Sequence, residues 1–366
     1  MTSINMQQCF VRNEQLKHYP KVSIASIPSR LLLMISSTSN IYGKCLFGLI
    51  MFLPNLYYFY YFLHTSLDAI FSGKLKNFLR FLHGNWIFIV YYFRYNHELV
   101  KQINDHWNAL QIDFDYETRK YFWTRKAIYR RLTNALYIFL IIFRYGYEFY
   151  IWNDRHGIMF YFLLLIWTPI GFVKHFCESC ILLDLLTLAE TAVRFNLIQL
   201  KKLLKKSTKD GKSLNTNAIE NIRHKYLSSC RLVEKIDEII SPHLLLMFVD
   251  SLISACDLCY NLLYTEQSQV HKCYQIIFNS VILITILVST VLGIKIHEKS
   301  QQSLAIVYKL SLKTNSMRLL SEILLFLNQS EIGFTLGGVF MLTTSSLSTL
   351  FSILTTIVFA LPTFAK

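Results

Sequence analysis

An all-α membrane protein of seven spanning helices is the fold class this sequence predicts, on three observations. The chain is 53% hydrophobic and 15% aromatic but only 16% charged, where a soluble domain carries about a quarter of its residues charged. Its apolar residues gather into seven runs near the length a bilayer requires, at about 42–64, 78–95, 134–151, 158–176, 244–263, 275–296 and 335–364. Its Lys and Arg are unevenly shared, about 28 on the side of the N-terminus and the long connections against about 6 on the other. Basic residues mark the cytoplasmic side, so the N-terminus is expected inside and the C-terminus, after seven crossings, outside. A G-protein-coupled receptor has the reverse orientation.

Residues 1–41 form a polar N-terminal segment without a signal-peptide core, so the first helix is expected to act as its own insertion signal. Residues 42–176 hold spans one to four, the second to fourth of them dense in Phe and Tyr, as membrane-interface belts are. Residues 177–243 are too long for a simple loop and keep helical periodicity. Ile181–Leu204 reads as amphipathic, and in Ala218–Ile240 the residues Ile222, Tyr226, Leu232 and Ile236 share an apolar side. Residues 244–296 hold spans five and six. Residues 297–334 repeat the helical pattern of 177–243. The apolar faces of both segments need partners, so a cytoplasmic helical bundle between subunits is expected.

The net charge of +14 does not indicate nucleic acid, because the basic residues lie between apolar spans where positive-inside bias accounts for them. Two Cys-x-x-Cys pairs, Cys177/Cys180 and Cys256/Cys259, would suggest zinc in a soluble chain. Here they fall on opposite leaflets, and buried free thiols are expected. The sequence shows no phosphate loop, nucleophile elbow or internal repeat. No enzyme activity, metal or cofactor is expected. The sequon Asn328-Gln329-Ser330 lies on the inner side, where it would stay unmodified.

The last span, 335–366, is apolar yet rich in hydroxyls. Ser345, Thr349, Ser352, Thr356 and Thr363 recur at three, four or seven residues and form one stripe on a helix. Such a stripe either permits close packing with bonds back to its own carbonyls, or lines an ion path in several copies around an axis. Within it, Gly338-Val339-Phe340 is followed by Thr356-Ile357-Val358-Phe359-Ala360-Leu361-Pro362-Thr363-Phe364. This resembles the C-terminal signature of insect gustatory receptors, which place G-[LV]-F and then T-Y, five apolar residues and Q-F in the last helix. The departures are Ile357 for Tyr, Thr363 for Gln, and Pro362 inside the apolar run.

The resemblance, which the seven-span layout shares, implies a ligand-gated cation channel. It implies a homo- or heterotetramer with other receptor subunits, a small-molecule tastant as ligand, and a place in the plasma membrane of a sensory neuron and its dendrite. It further implies that the last helix lines the pore, with Thr363 and Phe364 at the outer constriction and Phe359, Thr356, Ser352 and Thr349 deeper. A ligand pocket would open among the outer halves of spans two to six. There the sequence offers Trp86, Tyr147, Tyr161, Trp167, Asp257, Tyr260 and Asn279, an apolar wall with a few polar groups, as ligand pockets are built. Asp257 is the expected polar anchor, since an acid inside a span usually faces a cavity or a partner. Asp250, one heptad earlier, is placed to pair with Arg144. The alternatives are an odorant receptor of the same fold, or a G-protein-coupled receptor or transporter if the orientation is reversed.

Overall fold

The computed structural model describes residues 19–22, 97–155, 158–210, 216–264, 268–312, 316–328 and 331–364, with isolated positions at Tyr42, Phe78, Phe81, Leu82 and Asn85. Apart from those positions, the two predicted spans at 42–64 and 78–95 lie outside the described residues, and so does Trp86.

The described chain is built from a few very long helices. After α1 (His97–Ala109) and a 3-10 turn (Ile112–Phe114) come α2 (Tyr116–Arg155), α3 (Ile158–Asp210), α4 (Thr216–Tyr264) and α5 (Gln269–Ser311). The short α6 (Met317–Leu327) leads to strands β1 (Thr335–Leu336) and β2 (Phe340–Met341), and α7 (Thr344–Phe364) ends the described chain. At 53 residues, α3 is about 80 Å long, far more than the roughly 20 residues a bilayer needs. The apolar spans and the expected helical extensions are therefore single continuous helices. α5 is itself long and apolar enough to cross a membrane.

The core sits in the part of the bundle beyond the apolar spans. α3 packs there against α2, α4 and α5, and α6 lies on α4 and α5. The predicted apolar side of α4 is buried: Tyr226, Leu232 and Ile236 are fully enclosed, and Ile222 packs against them. The Tyr226 ring meets Phe326 of α6 at 4.9 Å, and its hydroxyl pairs with Ser300 of α5 at 2.9 Å.

The expected amphipathic helix at Ile181–Leu204 is different. Residues 181–193 are buried on every side, so this stretch of α3 is the central rod of the bundle and not a surface helix. Its acids are tolerated because they are paired. Asp184 lies 3.4 Å from Lys126 and 3.5 Å from Arg130. Glu190 accepts from Lys299 at 2.5 Å and from the Tyr121 hydroxyl at 2.7 Å.

Cations outnumber acids around Tyr121, where Arg194 lies 3.5 Å and Arg125 5.4 Å from the ring centre. Burial alone would raise the Glu190 carboxyl, but the charge and hydrogen bond of Lys299, with Tyr121 and Arg125, hold it below the ordinary value. Lys299 is also lowered. Burial is the main cause, and with Arg194 and Lys295 it outweighs the attraction of Glu190. Burial and the Glu190 carboxylate push the Tyr121 phenol up to about 12.

The last predicted span needs a correction. Residues 335–364 are not one helix, because α7 begins only at Thr344. Before it β1 and β2 pair antiparallel in a tight hairpin, Thr335 opposite Met341 and Leu336 opposite Phe340. The reason is local: Gly337 and Gly338 both adopt positive φ, 64° and 76°, a conformation that glycine takes without steric cost and a helix cannot contain. The Gly338-Val339-Phe340 motif therefore lies in a turn.

Candidate functional site

Two arrangements stand apart from the core packing. The first joins the C-terminal half of α2 to the first turns of α5. Tyr147 of α2 and Tyr274 of α5, both buried, stack at 3.8 Å with planes 9° apart. Phe143 extends the stack on one side at 5.8 Å, and Phe278 lies 5.9 Å from Tyr274. Aromatic contacts of this kind add to the packing energy.

Polar groups run beside the stack on α5. The Gln275 amide nitrogen lies 2.8 Å from Nε2 of His271, and His271 Nδ1 bonds the Tyr147 hydroxyl. Arg144 donates to the Tyr274 hydroxyl. Asn279 donates to the Gln275 carbonyl at 2.9 Å. One turn apart on α5, the side-chain oxygens Gln275 Oε1 and Asn279 Oδ1 are buried and accept no hydrogen bond among the described residues. A buried acceptor left unmade costs about 1–3 kcal/mol. Two of them beside an aromatic wall can receive the donors of a bound molecule.

Of the predicted ligand residues, Tyr147 and Asn279 fall in this cluster. Tyr161 and Trp167 sit on α3, and Asp257 and Tyr260 on α4, but their side chains, like Trp86, lie outside the described residues. Sequence reasoning missed Tyr274 and His271, which it assigned to the connection between spans five and six. The helix-spaced series His271, Gln275, Asn279 was the available signal, with Tyr274 and Phe278 repeating the interval one residue behind it.

The second arrangement is α7. Ser345, Thr349, Ser352 and Thr356 are all exposed on the isolated subunit. Thr349 and Thr356 bond back to the carbonyls of Ser345 and Ser352, at 3.1 and 2.9 Å. These two hydroxyls are satisfied by their own helix, and Phe351, Ile353 and Thr355 of α7 are exposed beside the stripe. Phe359, Thr363 and Phe364 belong to the same helix, with side chains outside the described residues.

Continuous membrane-length helices, a polar-aromatic cluster between two of them and a row of exposed hydroxyls on the last fit the class of seven-helix membrane receptors. The profile of the 7tm chemosensory receptor family matches residues 97–364, and the chain belongs to that family. Among solved structures it is similar to the insect olfactory receptor OR5 from Machilis hrabei, with 12% identity and a TM-score of 0.65 over 91% of this chain and 95% of that one. It is also similar to the same receptor in complex with eugenol, with 12% identity and a TM-score of 0.71 over 97% of this chain and 99% of that one. No curated protein matches the chain in sequence.

Proposed function

We propose that this chemosensory receptor is a gustatory receptor acting as a ligand-gated cation channel in the plasma membrane. α7 is the pore-lining helix, repeated in a homo- or heterotetramer, with the N-terminus inside and the C-terminus outside. The observation that carries the reading is the exposed stripe Ser345, Thr349, Ser352 and Thr356 on α7. A membrane-crossing helix that leaves a row of hydroxyls uncovered by its own subunit has use for them where copies meet around water. The gustatory branch, rather than an odorant receptor of the same fold, is supported by the spacing from Gly338 to Phe364.

The tastant enters beside Tyr147, Tyr274 and Asn279. Its chemistry is set by the free acceptors Gln275 Oε1 and Asn279 Oδ1 and by the aromatic wall. The ligand is a small molecule with a flat or apolar face and at least one hydroxyl or N–H donor. Asn279→Ala is expected to raise the half-activating concentration of such a ligand about tenfold, the effect of one buried hydrogen bond. A ligand lacking the donor should be indifferent to the change.

The test of the channel is an inward current evoked by a panel of sugars and bitter compounds, on cells showing a C-terminal tag without permeabilisation. In Thr356→Cys, a charged thiol reagent should then block most of that current. A tag reached only after permeabilisation, or a Thr356→Cys current indifferent to the reagent, would overturn the reading. Activation by volatile odorants alone would select the odorant branch.

A further inference from the structure

The hairpin before α7 is held from two sides. On the α4 side, Asp237 and Ser241 lie one turn apart on the same face. The Asp237 carboxylate accepts both the backbone N–H of Thr335, at 2.9 Å, and its hydroxyl, at 2.6 Å. Thr335, having given its proton to Asp237, accepts at 2.8 Å from the Ser241 hydroxyl. Ser241 Oγ in turn accepts from the N–H of Gly338 at 2.8 Å, and the Ser241 carbonyl accepts from Gly337 at 3.2 Å. The protons in this chain all run one way, from Gly338 through Ser241 and Thr335 to the single charge on Asp237, and each bond polarises the next.

On the α5 side, Ser300 accepts from the N–H of Ile332 at 2.8 Å. His297 faces Glu331 at 3.6 Å, and Thr344, the first residue of α7, reaches Glu298 at 3.4 Å. Gly293 lies so close to Leu342 that a Cβ there would stand 2.8 Å from its methyl group. α5 is the same continuous helix that carries His271, Tyr274, Gln275 and Asn279 at its other end.

We infer that Asp237 and Ser241 are positioning residues that carry movement of the helix bundle into α7 through the hairpin. The inference rests on the ligand-gated channel reading. A helix entering through a loose loop would not follow its neighbours. One entering through a turn pinned to α4 and α5 must follow them, because β1 cannot slide without breaking its two bonds to the half-buried Asp237 carboxylate. The device is specific to hydroxyl and carboxylate chemistry. Thr335→Val keeps the shape of the side chain and loses the relay; Thr335→Ser keeps the relay and loses a methyl group.

The test compares these two variants and Asp237→Asn in the full-length receptor. With surface abundance unchanged, Thr335→Val should shift the half-activating ligand concentration about tenfold, while Thr335→Ser stays within about twofold. Asp237→Asn added to Thr335→Val should shift it little further, since both break one relay. Wild-type sensitivity in Thr335→Val, or full additivity of the pair, would overturn the inference while leaving the channel intact. If the wild type carries no current, hydrogen exchange on the detergent-purified receptor decides. The segment 332–342 should then exchange about tenfold faster in Thr335→Val than in Thr335→Ser, with α1 unchanged. Equal exchange would overturn the clamp, whereas the expected difference without current would leave the clamp standing and sink the channel reading together with the movement the clamp was to carry.

Discussion

Glu190→Gln is expected to destabilise the detergent-solubilised receptor by about 3 kcal/mol, the scale of breaking a buried ion pair from one side. Glu190 is almost fully buried at 1% exposure, and it is the acid against which Lys299, Arg125 and Arg194 are set around Tyr121. The neutral amide leaves those cations close together with their counter-charge gone. The loss is read as a fall in the thermal or denaturant midpoint.

The same residue gives a pH dependence. The Glu190 carboxyl is held below its ordinary value in the folded state, so folding favours its ionised form. That contribution is complete above the ordinary carboxylate value of 4.5 and is lost as pH falls through the depressed folded-state value. Wild-type stability should decline on that acid side, and Glu190→Gln should decline less steeply. Equal slopes would show that Glu190 is not the group responsible. Lys299→Met in the Glu190→Gln background should recover part of the loss, since it removes the stranded charge.

Gly337→Val is the second large effect, expected at about 2–3 kcal/mol, chiefly from backbone strain, which a β-branched residue meets in full. Gly337 sits at φ 64°, and a Cβ there would stand 2.5 Å from the Cδ2 of Leu245 on α4. Leu245 is exposed and its methyl group can turn aside, so that contact adds the smaller part. Gly338 is the control. Its φ is 76°, but a Cβ would meet nothing within 4 Å, so Gly338→Ala carries backbone strain alone, about 1 kcal/mol. Thermal midpoints of the two variants measured side by side check this. If Gly338→Ala proves the worse, the hairpin does not pack on α4 as described.

Much of this was legible in the sequence, and the part that was not has a common cause. The apolar runs and the side formed by Tyr226, Leu232 and Ile236 are periodic in one helix, and they appear where the period puts them. Asp184 and Glu190 made Ile181–Leu204 look half-solvated. They are buried because their partners come from residues 126, 130 and 299, which no local pattern can reveal. The Gly337-Gly338 pair is a turn signal, but it lay inside an apolar stretch long enough to cross a bilayer, and length prevailed over the turn. At the cluster between α2 and α5, Tyr147 and Asn279 stood out as polar or aromatic residues within spans. Tyr274 and His271 did not, because α5 begins several residues before its apolar run.

The buried side chains Phe326, Phe334, Leu336 and Leu342 have a consequence for biosynthesis. They complete a core whose opposite wall, from Ile181 to Ile240, leaves the ribosome about a hundred residues earlier, since the chain grows from its N-terminus. Until the hairpin is made, the nascent receptor must hold that wall uncovered. A chain stopped before Leu342 would present a continuous apolar surface to chaperones and proteases, so surface delivery should fall off over the hairpin residues and not at the last helix. Cellular quality control would be reading the fit of a few side chains in a turn.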